Sequence, residues 1–413
     1  MLFMLYGLIW PLFSGLSMFT LGSLCLLGDT AFYYILIYFS AFMFPVRGIF
    51  YIVSAAVNKN KITPQAIIQT SLELALAVFL VILPKISLYA FIVLYEIYLT
   101  FYGAVKLADS YLYAKNGYTK YFIPSVMQFI LCVTIFFGII FLPAQLRDTL
   151  LLYGVGVMLT LFGTAHICDF LSYIIKNKKI IRVLSSIRIT LPDMIGMSIP
   201  MRLRHVLKTE NNAITPDAEI LFEFSGKDVV GYAGHCELCV GKTTYTYGNY
   251  DPSSRLILKL AGEGTLILAD RQKYIDWEIN ENDKTVISYG LNLSDNENAA
   301  LKRSIEKLIS LSECWDTSQI NNNGEFICKM QKHVSFDAYK IKKGRFKTYF
   351  APTTNCVGIT NELLKDTRIG RAVFTGINTP GSYMELIERL YGCQNPCIIS
   401  KTVYTKSQNT LIR

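Results

Sequence analysis

The sequence predicts a multi-domain chain: an all-α bundle of six transmembrane helices followed by a soluble α+β domain. Three observations predict it. Apolar residues, 52% of the whole, crowd into the first 175 residues. Six stretches there reach the roughly 20 mostly apolar residues that a membrane-crossing helix needs. From about residue 217 the pattern changes to short β-branched and aromatic runs broken by glycines, with helical segments between them. The expected domains are therefore 1–175 (membrane), 176–216 (a basic juxtamembrane linker) and 217–413 (soluble).

The six expected spans are Leu2–Leu27, Phe32–Val57, Gln65–Leu83, Ile86–Lys106, Tyr121–Leu142 and Thr149–Ile175. Met1–Leu27 is apolar from its start, with no basic segment before it, so it reads as the first span and not as a cleaved signal. Short turns (Gly28–Thr30, Pro84-Lys85, Pro143–Asp148) alternate with longer polar loops (Asn58–Pro64, Leu107–Lys120), which makes three hairpins in series. The second helix of each carries early aromatics and a later glycine, Gly48, Gly103 and Gly163, a weak internal triplication.

Charge sets the expected sidedness. Up to Arg182 there are 12 Lys and Arg against 6 Asp and Glu; the rest of the chain carries 28 against 25. The net charge of +9 is thus mostly a membrane-flank feature, and no nucleic-acid partner is expected. One set of loops carries Lys59, Lys61, Lys115, Lys120, Lys176, Lys178, Lys179 and Arg182, the other only Lys85 and Arg147. The basic side should be cytoplasmic, which places both the N-terminus and the C-terminal domain inside. The linker patches IKNKKIIR and MRLRHVLK would be drawn to anionic lipid. Arg47, Glu73, Glu96, His166 and Asp169 fall in or near the spans. They can mark a polar path through the bilayer or, more simply, pair with one another to hold the bundle.

Three hairpins of this size, prolines at two turns and glycines in the second helices resemble the HdeD family of bacterial inner-membrane proteins. The resemblance covers about residues 1–180 and implies a multi-pass inner-membrane location, with the lipid bilayer as partner. Self-association into a homo-oligomer through the membrane helices is a further expectation.

In the soluble half, EILFEFSG, AGHCELCVG, TTYTYG, RLILKLAG and GTLILAD read as strands. Helix Ser294–Leu311 opens on a capping box, Ser294 with Glu297. Strand regions HVSFDAYKI and RFKTYFAP follow, then a helix starting near Cys356 and another over Ser382–Leu390. Two motifs carry chemistry. One is Gly234-His235-Cys236-Glu237-Leu238 at a strand start. The other is Thr353-Thr354-Asn355-Cys356, running into an apolar helix. Asn355 is a good N-cap, so Cys356 should sit on the first turn, where free N–H groups and the helix dipole favour a thiolate. A strand histidine could serve as its general base.

This pair resembles the circularly permuted branch of the NlpC-type papain-like fold, which includes lecithin retinol acyltransferase-like enzymes. There a strand histidine precedes an Asn-Cys motif that opens a helix. The resemblance covers about residues 218–400 and implies His235 as base and Cys356 as nucleophile. The family's third polar residue lies about a dozen residues after the histidine. That register gives Tyr247, with Asn249 and Asp251 as alternatives on the same side of an extended strand. The separation of His235 from Cys356 is long for the family, and the Ser294–Leu311 helix reads as an insert.

Competing readings are plain. Most buried cysteines are small inert hydrophobes, and Cys236, Cys239, Cys314 and Cys328 are expected to be of that kind. His333 is the rival base. Cys236-x-x-Cys239 resembles a zinc half-site, but on a strand the two face opposite ways, and only His235, Glu237 and Cys239 share a face. No metal or other cofactor is expected. A cytosolic setting disfavours disulfides, Cys393 with Cys397 included. The expected function is a membrane-anchored cysteine hydrolase or acyltransferase acting on a peptide, amide or acyl-lipid substrate. The alternative is a non-enzymatic stress-response membrane protein with a cytosolic interaction domain.

Overall fold

The apolar runs of the first part form helices α1 (Leu2–Cys25), α2 (Pro64–Ile82), α3 (Pro84–Lys115), α4 (Thr119–Phe141) and α5 (Ala144–Ile174). Pro64 and Pro84 open their helices, where the missing N–H has no intrahelical partner to lose. The computed structural model describes residues 2–27, 34–35, 37–39, 41–42, 45–46, 64–174, 189–190, 215–225, 234–256, 260–320, 325–370, 373–374, 379–392 and 397–406. Most of the expected span Phe32–Val57, with Arg47 and Gly48, lies outside these residues, as do both basic linker patches and Cys393. Among the described residues, two helical segments are long and apolar enough to cross a membrane, Thr119–Phe141 and Gln145–Cys168.

One expectation is corrected. Leu107–Lys120 is not a polar loop, because α3 runs on through Lys115 in a helix of 32 residues. The charged residues there end the apolar stretch but not the helix. Val105, Asp109 and Tyr113 recur every fourth residue as a buried stripe, while Leu107 and Tyr111 face outward. Only Asn116–Tyr118 remain as the turn, with Gly117 at φ +67°.

The chain divides into two units. One comprises Phe13–Lys106 and Val126–Thr164, the other Met1–Leu12, Leu107–Ser125 and Ala165–Arg413. In the first, α1 and α5 touch backbone to backbone. A Cβ on Gly163 would lie 2.3 Å from the Phe19 nitrogen, and one on Gly22 2.5 Å from the Thr160 nitrogen. Only glycine, with no Cβ, lets two helix backbones approach this closely. Gly103 differs: a Cβ there would make an ordinary 3.4 Å contact with Cys132 on α4. The glycines of the proposed repeat do not share one packing role.

The second unit is built on an eight-stranded, wholly antiparallel sheet in the order β12-β7-β2-β3-β4-β6-β9-β8. Its strands are β2 (Ala218–Phe224), β3 (His235–Val240), β4 (Thr243–Gly248), β6 (Thr265–Asp270), β7 (Thr285–Leu291), β8 (Ser312–Cys314), β9 (Phe336–Ile341) and β12 (Ile398–Tyr404). β5 (Ala261–Glu263) pairs with β10 (Thr348–Phe350), and β1 (Ile189–Thr190) with β11 (Val373–Phe374). Helices cover both faces, so strand residues are buried on both sides and alternation is blurred.

Helices α7 (Asp295–Ser310), α9 (Cys356–Leu363) and α10 (Pro380–Gly392) pack on one face with Ile220, Phe222, Cys236, Leu238 and Tyr247. Helices α6 (Arg271–Asn280) and α8 (Phe326–Gln331) pack on the other, with Leu221, Cys239, Ile267 and Ala269. The capping box of Ser294 and Glu297 is present at the start of α7. Strands β1, β7, β8, β11 and β12 and helices α6 and α8 lie outside the sequence expectation. Their runs are short and polar-interrupted, and tertiary contact decides them.

Candidate functional site

Cys356 is the first residue of α9. Asn355 caps the helix, its side-chain oxygen accepting from the Gly358 N–H at 3.0 Å while its amide donates to the Ala351 carbonyl at 2.7 Å. The preceding loop is held in turn. The Thr354 hydroxyl donates to the Thr348 carbonyl at 2.8 Å, and the Thr353 hydroxyl donates to the Asp109 carboxylate at the end of α3. Asn116 donates to the Thr348 hydroxyl at 3.0 Å, and the Arg345 guanidinium lies over the Tyr121 ring. Thus the tip of the α3–α4 hairpin grips the segment that presents Cys356.

The backbone amides of Cys236, Val357 and Cys356 itself act on the Cys356 thiol in the sense that favours its ionised form. β3 stays paired with β2 as far as His235, but it leaves β4 beyond Leu238, while β4 remains paired with β6 through Gly248. The Cys356 thiol therefore meets β3 where the β3–β4 ladder has opened. It is 3% exposed. Burial pushes its pKa up to about 12, against the pull of those N–H groups, so the thiol is neutral at rest. The expected thiolate at the helix start is overridden by desolvation.

His235 precedes Cys236, and alternation along β3 turns its ring to the other face of the sheet. Its Nε2 lies 3.1 Å from the Thr246 hydroxyl and 3.2 Å from the Tyr250 hydroxyl, with Glu237 Oε1 at 3.8 Å. Burial holds the imidazole well below its ordinary range, at about 4, only partly offset by the charge of Glu223. It is a neutral base. His235 and Cys356 therefore meet β3 at adjacent residues but on opposite sides of the sheet, the Cys356 thiol packing with Cys236 and the His235 ring with Thr246 and Tyr250.

The expected third members fall elsewhere. Tyr247 faces Cys356 and not His235; it shares the α9 core, and its hydroxyl donates to the Phe346 carbonyl at 2.9 Å. Asn249 lies past the end of β4, its carbonyl accepting from Arg255 at 3.1 Å. Asp251 caps a short 3₁₀ turn through Ser253 and pairs with Lys340. β4 ends at Gly248, so the extended register that placed these three together stops short of two of them.

What surrounds His235 is a buried polar cluster. Glu223, Glu237 and Glu278 are at most 1% exposed. Lys284 bridges Glu223 and Glu278, both at 2.8 Å. The Tyr274 hydroxyl reaches Glu237 at 2.6 Å and Glu278 at 3.1 Å. Burial, with the neighbouring Glu223 charge, pushes Glu237 well above the usual carboxylate range and Glu278 up to about 7. Burial also works to raise Glu223, but Lys284 and His235 outweigh it and hold it low. The visible signal in the sequence was acidic residues placed mid-strand in apolar runs, at EILFEF and HCELC.

Among the described residues no three His, Cys, Asp or Glu side chains gather in a way that could hold a metal ion. Cys314 is exposed and not buried as expected, whereas Cys236, Cys239 and Cys328 are buried. His333 follows α8 in a turn whose backbone bonds run to Met330. No protein-family model, curated protein or solved structure matches this chain.

Proposed function

We propose that the chain is a membrane-anchored cysteine hydrolase or acyltransferase with Cys356 as nucleophile and His235 as base. The observation that carries this is a thiol at the start of α9 packed against Cys236, the residue that follows a neutral histidine on β3. The backbone N–H groups acting on that thiol would hold an oxyanion once the sulfur bonds to an acyl carbon. His235 would take the thiol proton and return it to the leaving group; water or an amine would then resolve the thioester. Among the described residues the imidazole makes its hydrogen bonds through Nε2, which leaves Nδ1 for the thiol. This reading requires the imidazole to turn through the opening between β3 and β4 to reach the thiol.

In the same reading the soluble unit has a permuted NlpC-type, lecithin retinol acyltransferase-like fold. The helical part is a six-span, HdeD-like anchor in a bacterial inner membrane, with the soluble domain cytosolic. The substrate is an acyl compound: peptide, amide, thioester or lipid ester.

A second reading is favoured by the buried neutral thiol and the turned imidazole: a non-catalytic interaction domain. A thiol-directed, acyl-mimicking electrophile separates the two. The enzyme reading expects selective labelling of Cys356, lost in Cys356→Ala and slowed about a hundredfold or more in His235→Ala. Labelling spread over the cysteines by exposure alone, indifferent to His235, establishes the interaction domain instead.

A further inference from the structure

We propose that Glu237 is the positioning residue for His235, backed by a carboxyl-to-carboxyl hydrogen bond with Glu223. The inference rests on the reading of His235 as base. Glu237 and Glu223 rise from neighbouring strands onto the face that carries the imidazole: Glu223 pairs with His235 across the ladder, and Glu237 follows two residues along β3.

Two of the four carboxyl oxygens around this point have donors or close partners. Glu223 Oε2 receives Lys284 at 2.8 Å, and Glu237 Oε1 receives the Tyr274 hydroxyl at 2.6 Å and lies 3.8 Å from His235 Nε2. The two that have no donor from another group are Glu223 Oε1 and Glu237 Oε2, both fully buried. Two bare carboxylate oxygens cannot both stay unsatisfied in so dry a site. The two side chains are diagonal neighbours on one face of the β2–β3 ladder, a spacing that long side chains can bridge. One proton held between those oxygens satisfies both, and the pair then carries a single negative charge, as two adjacent carboxyls in a dry site do.

This gives the imidazole a directed partner. As Sγ bonds to the acyl carbon, the thiol proton passes to Nδ1. The imidazolium then has an N–H on Nε2, which needs an acceptor. Glu237 Oε1 lies on that side, beyond the Thr246 and Tyr250 hydroxyls. The shared proton moves toward Glu223, leaving the negative charge on Glu237 beside the imidazolium. On collapse of the tetrahedral species, Nδ1 gives its proton to the leaving group and the shared proton returns. No proton is gained or lost. Tyr247, Asn249 and Asp251 have no such access to the ring, whereas Glu237 sits with Thr246, Tyr250 and Tyr274 around it. Lys284, just before β7, and Glu278, from α6, are the charged groups bonded to this cluster, and the Glu219–Arg271 pair lies further along the same face.

The test is the rate of Cys356 labelling by the same electrophile, followed against pH in the full-length protein in detergent. With a working base the rate is level across the neutral range. In Glu237→Gln we expect the level part to fall about tenfold to a hundredfold. The remaining rate should then climb with pH, as for a thiol with no assistance, while the high-pH limit is unchanged. A merely structural role would lower the whole curve without changing its shape. Tyr274→Phe removes only a hydroxyl and serves if Glu237→Gln does not fold; it should change the curve in the same sense by a smaller factor. If His235→Ala abolishes the level part and neither variant alters it, the role of Glu237 is overturned while the enzyme reading stands. If His235→Ala itself changes nothing, the enzyme reading has failed first.

Discussion

Glu278 shows how one buried carboxyl makes stability depend on pH. Burial and the Glu223 charge raise its pKa to about 7, against Lys284 and Asn282. The folded chain then holds this proton more tightly than the unfolded chain does. The resulting stabilisation is full below the ordinary carboxyl range and is lost as pH rises through about 7. Glu237 acts with the same sign. The soluble unit should therefore melt at progressively lower temperature as the pH is raised from weakly acid to weakly alkaline. Glu278→Gln should reduce that slope, followed by the fluorescence of Trp277, which packs on Phe326 nearby; an identical slope in the variant would contradict the assignment. At this scale the sequence was readable where chemistry is local. Asn355 before Cys356 announces a cap, and the cap is there. The partners of His235 were not readable, because they depend on where β3 leaves β4 and on a helix, α6, that packs from another part of the chain.

At the scale of elements, the hairpin tip is the least expected feature. Polar residues after Lys106 looked like a loop, yet they continue α3 and turn a buried stripe toward the segment before Cys356. Asp109 is 2% exposed and accepts from Thr353, three residues before Cys356. Asp109→Ala removes that acceptor from a buried hydroxyl, a loss of about 1–3 kcal/mol. The loop should loosen, and Cys356 should alkylate faster with a small neutral reagent such as iodoacetamide, read by mass spectrometry. A fragment restricted to 217–413 lacks the tip and should show the same exposure more strongly. Equal protection in all three proteins would mean that the tip does not hold the loop. Helix α7, by contrast, was legible almost to the residue. Its capping box and apolar face are properties of one segment, whereas the tip's docking joins residues more than 200 positions apart.

At the scale of the whole chain, connectivity constrains topology. Outside the two apolar segments, the stretches 107–118 and 169–413 fall in one unit, so they share one side of any membrane that the chain crosses. Between them lie the two segments long and apolar enough to span, Thr119–Phe141 and Gln145–Cys168, joined by a short turn at Leu142-Pro143. Two crossings return the chain to the side it left, as that unit requires. Helix α3 fits as well. At about 1.5 Å per residue its length is about 48 Å, well beyond a hydrocarbon core of about 30 Å, so a bilayer-crossing α3 would leave its last turns outside the core. A membrane-impermeant maleimide tests this directly. The exposed native Cys314 and a Lys115→Cys variant should label together, and from the cytosolic side, in sealed vesicles of known orientation. Pro143→Cys should label only from the opposite side. If Cys314 and Lys115→Cys label from opposite faces, α4 and α5 cannot both cross and return, and the hairpin tip could not belong to the sheet-bearing unit in the membrane. If all three label from one side, the pair does not cross at all and the anchor must lie in the earlier helices.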